Sequence, residues 1–100
     1  MFIVLLKFSE NKAKAADFMG SHNAWLKRGF DDGVFLVAGS LKPNLGGGIL
    51  AYNTARADLE RRVAADPFVA EKIVSAEILE FAPAKATDHL SFLLGQPATS

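Results

Sequence analysis

Two residues stand where the hydrophobic pattern asks for apolar side chains: His22, within Ser21-His22-Asn23-Ala24-Trp25-Leu26, and Asp66, within Asp66-Pro67-Phe68. His22 falls on the stripe Ala15, Phe18, Met19, His22, Trp25, Leu26 and Gly29, spaced by steps of three and four as one face of a helix requires. Asp66 continues a second stripe formed by Ala55, Leu59 and Val63. If the two inward faces converge, an imidazole and a carboxylate meet in a partly buried place. Such a pair is equipped for acid/base chemistry. The carboxylate accepts a hydrogen bond from one ring nitrogen, fixes the tautomer and stabilises imidazolium when it forms, and the other nitrogen is left to move a proton.

Each residue also has a plainer job. A buried imidazole must be hydrogen-bonded somewhere, because leaving it unpaired costs about 1–3 kcal/mol. Asp before Pro is a standard N-cap, its oxygen bonding the free N–H groups of the turn that follows. The two duties of Asp66 are compatible, since a carboxylate has two oxygens.

Other chemistry finds less support. Ser40 lies at the end of an apolar stretch and is placed to line a pocket. Nothing in the sequence sets its oxygen against His22, so no Ser-His-Asp triad follows. Gly46-Gly47-Gly48 is read as part of a hairpin connection, because a phosphate-cradling loop needs a strand-loop-helix context. Trp25, Phe68 and Tyr52 are read as core or pocket wall, with Trp25 and Phe68 the ones expected to meet a ligand. Only two histidines exist, His22 and His89, without a local metal-ligand motif, and there is no cysteine. Neither a metal nor a cofactor is expected.

The elements that must position His22 and Asp66 follow from the pattern. Phe2 to Phe8 is a short apolar run with apolar residues on both parities, hence a strand covered on both faces. A helix is expected from about Lys12 to Arg28, capped by Ser9 or Asn11 and stopped at Gly29. Asp31-Asp32-Gly33 is turn chemistry. Val34 to Leu41 and Ile49 to Tyr52 are strands joined by a loop over Lys42 to Gly48. Thr54 is expected to cap a second helix running to about Ala65, and Asp66 a short new turn running to about Lys72. Ile73 to Phe81 is the last strand, closed by Pro83. The order β-α-β-β-α-β is that of the α+β, ferredoxin-like plan, a four-stranded antiparallel sheet with the helices on one face. The other face is also rich in large hydrophobes, which a chain of 100 residues cannot cover by itself. A homodimer packed sheet to sheet is the economical solution.

With half its residues hydrophobic and 22% charged, the composition is that of a folded domain. Eleven Lys plus Arg balance eleven Asp plus Glu, which leaves no electrostatic footprint for nucleic acid or an anionic membrane. No run approaches the ~18 apolar residues of a membrane span, and the apolar start is too short for a signal peptide. A soluble, cytoplasmic protein is expected. Residues 1–83 are read as the domain and 84–100 as an extension, with a short docked helix around His89 to Leu94.

His22 followed by Trp25-Leu26, Gly33, the Ala38-Gly39 strand, the glycine-bearing hairpin, Asp66-Pro67-Phe68 and the ending Glu80-Phe81-Ala82-Pro83 together resemble the YciI-like (YCII-related) family. The likeness runs over nearly all of residues 1–83, and His22 with Asp-Pro-Phe is its most specific part. It implies a dimeric ferredoxin-like α/β barrel, in a wider superfamily that includes small monooxygenases and muconolactone-isomerase-like proteins. It also implies a site built on a His–Asp pair, here His22 and Asp66. Two positions depart from the pattern: Ser40 stands where a proline is common, and Lys72 before Ile73 where a glycine is usual.

The expectation is therefore a small cofactor-independent enzyme acting on a small organic molecule, cyclic or aromatic by analogy with the superfamily. His22 would be the base or acid and Asp66 its orienting partner. Elimination or isomerisation suits that pair better than hydrolysis, which would want a nucleophile or a metal. On this reading Asp66→Asn folds nearly normally and loses turnover. The alternative is a non-catalytic small-molecule-binding or accessory protein in which the pair is structural. A purely structural dimer module would have no pocket around His22 at all.

Overall fold

The computed structural model describes residues 1–95. Strand β1 spans Phe2–Phe8, and a 3₁₀ turn over Lys12–Lys14 leads into helix α1, Ala15–Asp31. Strands β2 (Phe35–Leu41) and β3 (Gly46–Ala51) follow, then helix α2 (Arg56–Ala64), the one-turn helix α3 (Pro67–Ala70) and strand β4 (Val74–Glu80). A 3₁₀ segment over Asp88–Gly95 closes the described chain. The strands form one antiparallel sheet in the order β2-β3-β1-β4, so the molecule has the ferredoxin-like α+β fold.

The pleat decides which residues meet the helices. Phe2, Val4 and Leu6 of β1 are buried, and the register sets them opposite Ala51, Ile49 and Gly47 of β3. Alternation then assigns Ala38 and Ser40 of β2 to the same face, paired with Ile49 and Gly47. Trp25 from α1, Leu59 and Val63 from α2 and Phe68 from α3 join these strand residues in a single core. The opposite face carries Ile3, Leu5 and Leu50, half-buried, with Val37 and Leu79 exposed. Burying apolar area is worth about 25 cal/mol per Å², so this face is a favourable surface to cover.

Several local expectations are corrected. Gly29 does not stop α1. It lies inside the helix, buried beneath the Phe35 ring, where an added Cβ would overlap that ring. The terminator is Gly33, at φ +73°, a left-handed conformation that glycine adopts freely. Its N–H donates to the Phe30 carbonyl (3.0 Å) and that of Val34 to the Gly29 carbonyl (3.0 Å), the Schellman pattern. Neither Ser9 nor Asn11 caps the helix by its side chain; Asn11 Nδ2 instead donates to the Glu71 carbonyl at 2.9 Å, tying the start of α1 to the end of α3. Thr54 does not cap α2, whose N-cap is Ala55 without a side-chain bond.

The hairpin connection is also shorter than expected, because Gly46-Gly47-Gly48 belongs to β3 and is paired on both sides. No helix among the described residues is long and apolar enough to cross a membrane. Of the extension, Leu93 is buried and the Phe92 ring meets Tyr52 edge-on at 5.5 Å, whereas residues 96–100 lie outside the described part.

Candidate active site

Helix α1 presents His22 one turn before Trp25, on the side facing α3, and the junction of α2 and α3 presents Asp66. Their side chains meet: Nδ1 of His22 lies 2.8 Å from Oδ1 of Asp66. Asp66 is completely buried, and the His22 side chain is 12% exposed. The same Oδ1 accepts the Phe68 N–H at 3.0 Å, which makes Asp66 the N-cap of α3 with Pro67 in the first helical position. One oxygen thus holds both a helix start and an imidazole.

The ring of His22 is fixed by packing as well as by this bond. Phe68 lies flat against it, with centroids 4.0 Å apart and planes 5° from parallel. Trp25 flanks it at 5.8 Å. With a carboxylate oxygen at Nδ1, the proton of a neutral ring belongs on Nδ1, and Nε2 carries the free lone pair. Nε2 has no hydrogen-bond partner among the described residues.

His22 forms part of the wall of a cavity of about 300 Å³ between α1, α3 and the sheet. Met19, Leu26 and Phe68 continue the helical side, and Leu6, Ala38 and Ile49 line the sheet side. The glycines of β3 contribute backbone alone. Small-molecule pockets in proteins begin at about 300 Å³, and a cavity of about 150 Å³ already admits benzene, so one substituted ring fits here. Among the described residues three with polar side chains line the wall, His22, Asn23 and Ser40, and no Lys, Arg, Asp or Glu does.

The structure therefore brings His22, Phe68 and Ser40 to one cavity and sets Asp66 directly behind His22. Ser40 Oγ makes no hydrogen bond with His22. Trp25 is corrected: it does not line the cavity. It is 2% exposed, its indole N–H donates to the Arg62 carbonyl at 2.9 Å, and its ring meets Phe35 edge-on, all of which belong to the core between α1, α2 and the sheet. Asn23 and the glycines of β3 were missed. Asn23 sits off the apolar stripe, so periodicity treats it as solvated. The glycine run carries a legible signal, because three successive glycines weaken a strand and mark a place where something needs the room. Among the described residues no group of three or more His, Asp or Glu side chains is gathered in a way that could hold a metal ion.

No family model matches the chain, and no curated protein matches it in sequence. Among solved structures it is similar to 5-chloro-2-hydroxyhydroquinone dehydrochlorinase (TftG) from Burkholderia phenoliruptrix AC1100, in its complex with 2,5-dihydroxybenzoquinone. The TM-score is 0.67 with 15% sequence identity, over 89% of this chain and 98% of that one. At that identity the likeness speaks for the fold.

Proposed function

We propose that this chain is a small enzyme of the YciI-like family that moves a proton on a single-ring organic molecule, without a cofactor. The observation that carries the reading is the His22–Asp66 bond at 2.8 Å with Nε2 left free on a cavity wall. Nε2 takes a proton from a ring carbon, and the C–H electron pair becomes the new double bond. In an elimination the leaving group departs with its own bonding pair; in an isomerisation the imidazolium returns the proton elsewhere on the ring. Asp66 keeps the lone pair aimed at the cavity and offsets the positive charge while the proton is held. Ser40 and Asn23 offer hydrogen bonds to ring oxygens, and Phe68 backs the imidazole. That TftG, of the same fold, is a dehydrochlorinase of a hydroxylated ring agrees with this chemistry.

Residues 1–83 form the catalytic domain on this proposal, with 84–100 an extension. Two copies pair through the open sheet face, where Val37 (51% exposed) and Leu79 (42%) lie beside Ile3, Leu5 and Leu50.

A second reading, binding without catalysis, is favoured by the capping bond from Phe68 N–H, which gives Asp66 a structural duty of its own. Chloride release from 5-chloro-2-hydroxyhydroquinone, together with solvent deuterium uptake into a panel of hydroxylated rings, separates the two. The expected result is turnover that falls by about 10²–10⁴ in His22→Gln, the usual contribution of a positioned general base. Rings that shift the His22 NMR signals yet neither exchange nor lose chloride would establish the second reading instead.

A further inference from the structure

Each glycine of β3 can be asked what its missing side chain makes room for. Gly46 answers from the backbone: its φ is +134°, and a Cβ would run into the Leu6 carbonyl. Gly48 points to the open face of the sheet, where a Cβ would meet Leu41 at an ordinary 3.5 Å. Gly47 has neither reason. Its φ is not positive, it is paired with Leu6 on one side and Ser40 on the other, and it faces the helices. Among the described residues the heavy atom near its would-be Cβ is the Gly39 carbonyl oxygen at 3.3 Å, which would have to give by a few tenths of an ångström, and no side chain lies within 4 Å. The residue lines the cavity that holds His22. A glycine within a strand is unfavourable by roughly 0.5–1 kcal/mol relative to alanine, so its presence there calls for a compensating gain.

We infer that Gly47 determines ligand size at this site. Its bare backbone is the floor on which a flat single ring lies, and any side chain there projects into the space that the ring would occupy. The inference rests on the proposed reading for the identity of the pocket and adds the residue that sets its capacity. The ligand class is a compact, planar, single six-membered ring with small oxygen substituents. Because no cation lines the wall, such a ligand is held by packing and by the neutral groups of Asn23 and Ser40.

The test is an NMR titration of the full-length protein with phenol, hydroquinone, 2,5-dihydroxybenzoquinone and 2-naphthol, repeated in Gly47→Ala and Gly47→Val, with melting temperatures measured beside it. In the wild-type protein the single rings shift the His22 and Gly47 signals, and replacing Gly47 weakens 2-naphthol binding by a larger factor than phenol binding. Gly47→Ala weakens single-ring binding about tenfold and Gly47→Val at least a hundredfold, while both variants melt within a few degrees of the wild type. Unchanged affinity in Gly47→Val, or wild-type protein that none of the four compounds perturbs, overturns the inference. So does a melting temperature that drops by more than about 10 °C in Gly47→Ala, since the glycine would then serve the sheet. His22→Gln separates this from the catalytic proposal: if the size preference persists while neither it nor the wild type moves a proton, the size filter stands and the acid/base reading falls.

Discussion

Replacing Asp66 by asparagine tests the pair in isolation, because the two side chains have the same shape. In the variant the amide oxygen must stay where Oδ1 is, accepting from Phe68 N–H; turned around, the amide would aim donors at a donor. Asparagine is as good an N-cap as aspartate, so α3 keeps its start. The amide nitrogen then takes the place of Oδ2, a buried atom with no hydrogen-bond partner among the described residues. Two N–H donors left without an acceptor cost about 1–3 kcal/mol, and the bond from His22 loses the charge assistance that roughly doubles its strength. The sum is about 2–4 kcal/mol. For a domain of this size that lowers the melting temperature by about 10–30 °C, at the usual 4–8 °C per kcal/mol. Asp66→Asn is therefore more costly to folding than the nearly normal stability that the sequence suggests, because the burial of the second oxygen is invisible there. Thermal denaturation by circular dichroism measures the loss. Long-range ¹H–¹⁵N correlation reads the His22 tautomer, which should be wholly Nδ1–H in the neutral wild-type ring and mixed in the variant. A variant that melts within 2 °C of the wild type and keeps the same tautomer would refute the argument that a buried carboxylate orients this imidazole.

Other substitutions follow from the same geometry. Gly29→Ala should lower the melting temperature although alanine is the better helix former by about 1 kcal/mol, because its Cβ overlaps the Phe35 ring and overpacking costs about 1–3 kcal/mol. Trp25→Phe removes the bond to the Arg62 carbonyl, which keeps the Ala65 N–H at 3.2 Å, so a loss of about 0.5–1.5 kcal/mol in denaturant titration is expected. Ligand affinity should not change, since Trp25 is not part of the cavity wall. Leu5→Glu puts a charge in the middle of the open sheet face; sedimentation equilibrium should find a dimer for the wild type and a folded monomer for the variant, and two monomers would remove the proposed interface.

The fold was legible because both periodicities are strong. The stripe from Ala15 to Gly29 and the apolar strands at Phe2, Val34 and Ile73 leave little choice of element order, and the order leaves little choice of sheet. His22 and Asp66 were legible for a related reason: each is polar at a position where its neighbours at three and four steps are apolar. What escaped was whatever depends on through-space contact. Gly29 reads as a stop until Phe35 is seen above it. Trp25 stands on the same stripe as His22, and only the third dimension shows that three residues of helical advance turn it from the cavity toward Arg62. Asn23 is the converse, a residue off the stripe that the curvature of the cavity still reaches. Asn11 fails as a cap because a tertiary partner, the Glu71 carbonyl, takes its side chain, and Thr54 because its hydroxyl donates to the neighbouring Ala55 carbonyl instead.

Asp66 had two candidate duties, capping α3 and orienting His22, and the structure makes them inseparable. Both hydrogen bonds end on Oδ1, and the residue whose N–H is capped, Phe68, is the residue whose ring supports the imidazole. Rotating the carboxylate to improve one bond would strain the other, and losing the cap would move Phe68 from beneath His22. The imidazole is thus positioned by the start of a helix and not by a loop, with its rotation about the ring axis set by a hydrogen bond and its tilt by a stack. A structural role alone would be satisfied by any donor at position 22 that pairs with the buried carboxylate, and would not need a second ring nitrogen. What goes beyond that need is a titratable ring held in one tautomer with its second nitrogen left unpaired at a cavity. Phe68→Leu divides the two contributions, because it keeps the N–H that Asp66 caps and removes the flat support. If orientation of the imidazole is what the turn provides, this variant melts only modestly lower yet broadens the His22 ring signals. If those signals stay sharp and unshifted, the cap alone places the ring and the stack is incidental.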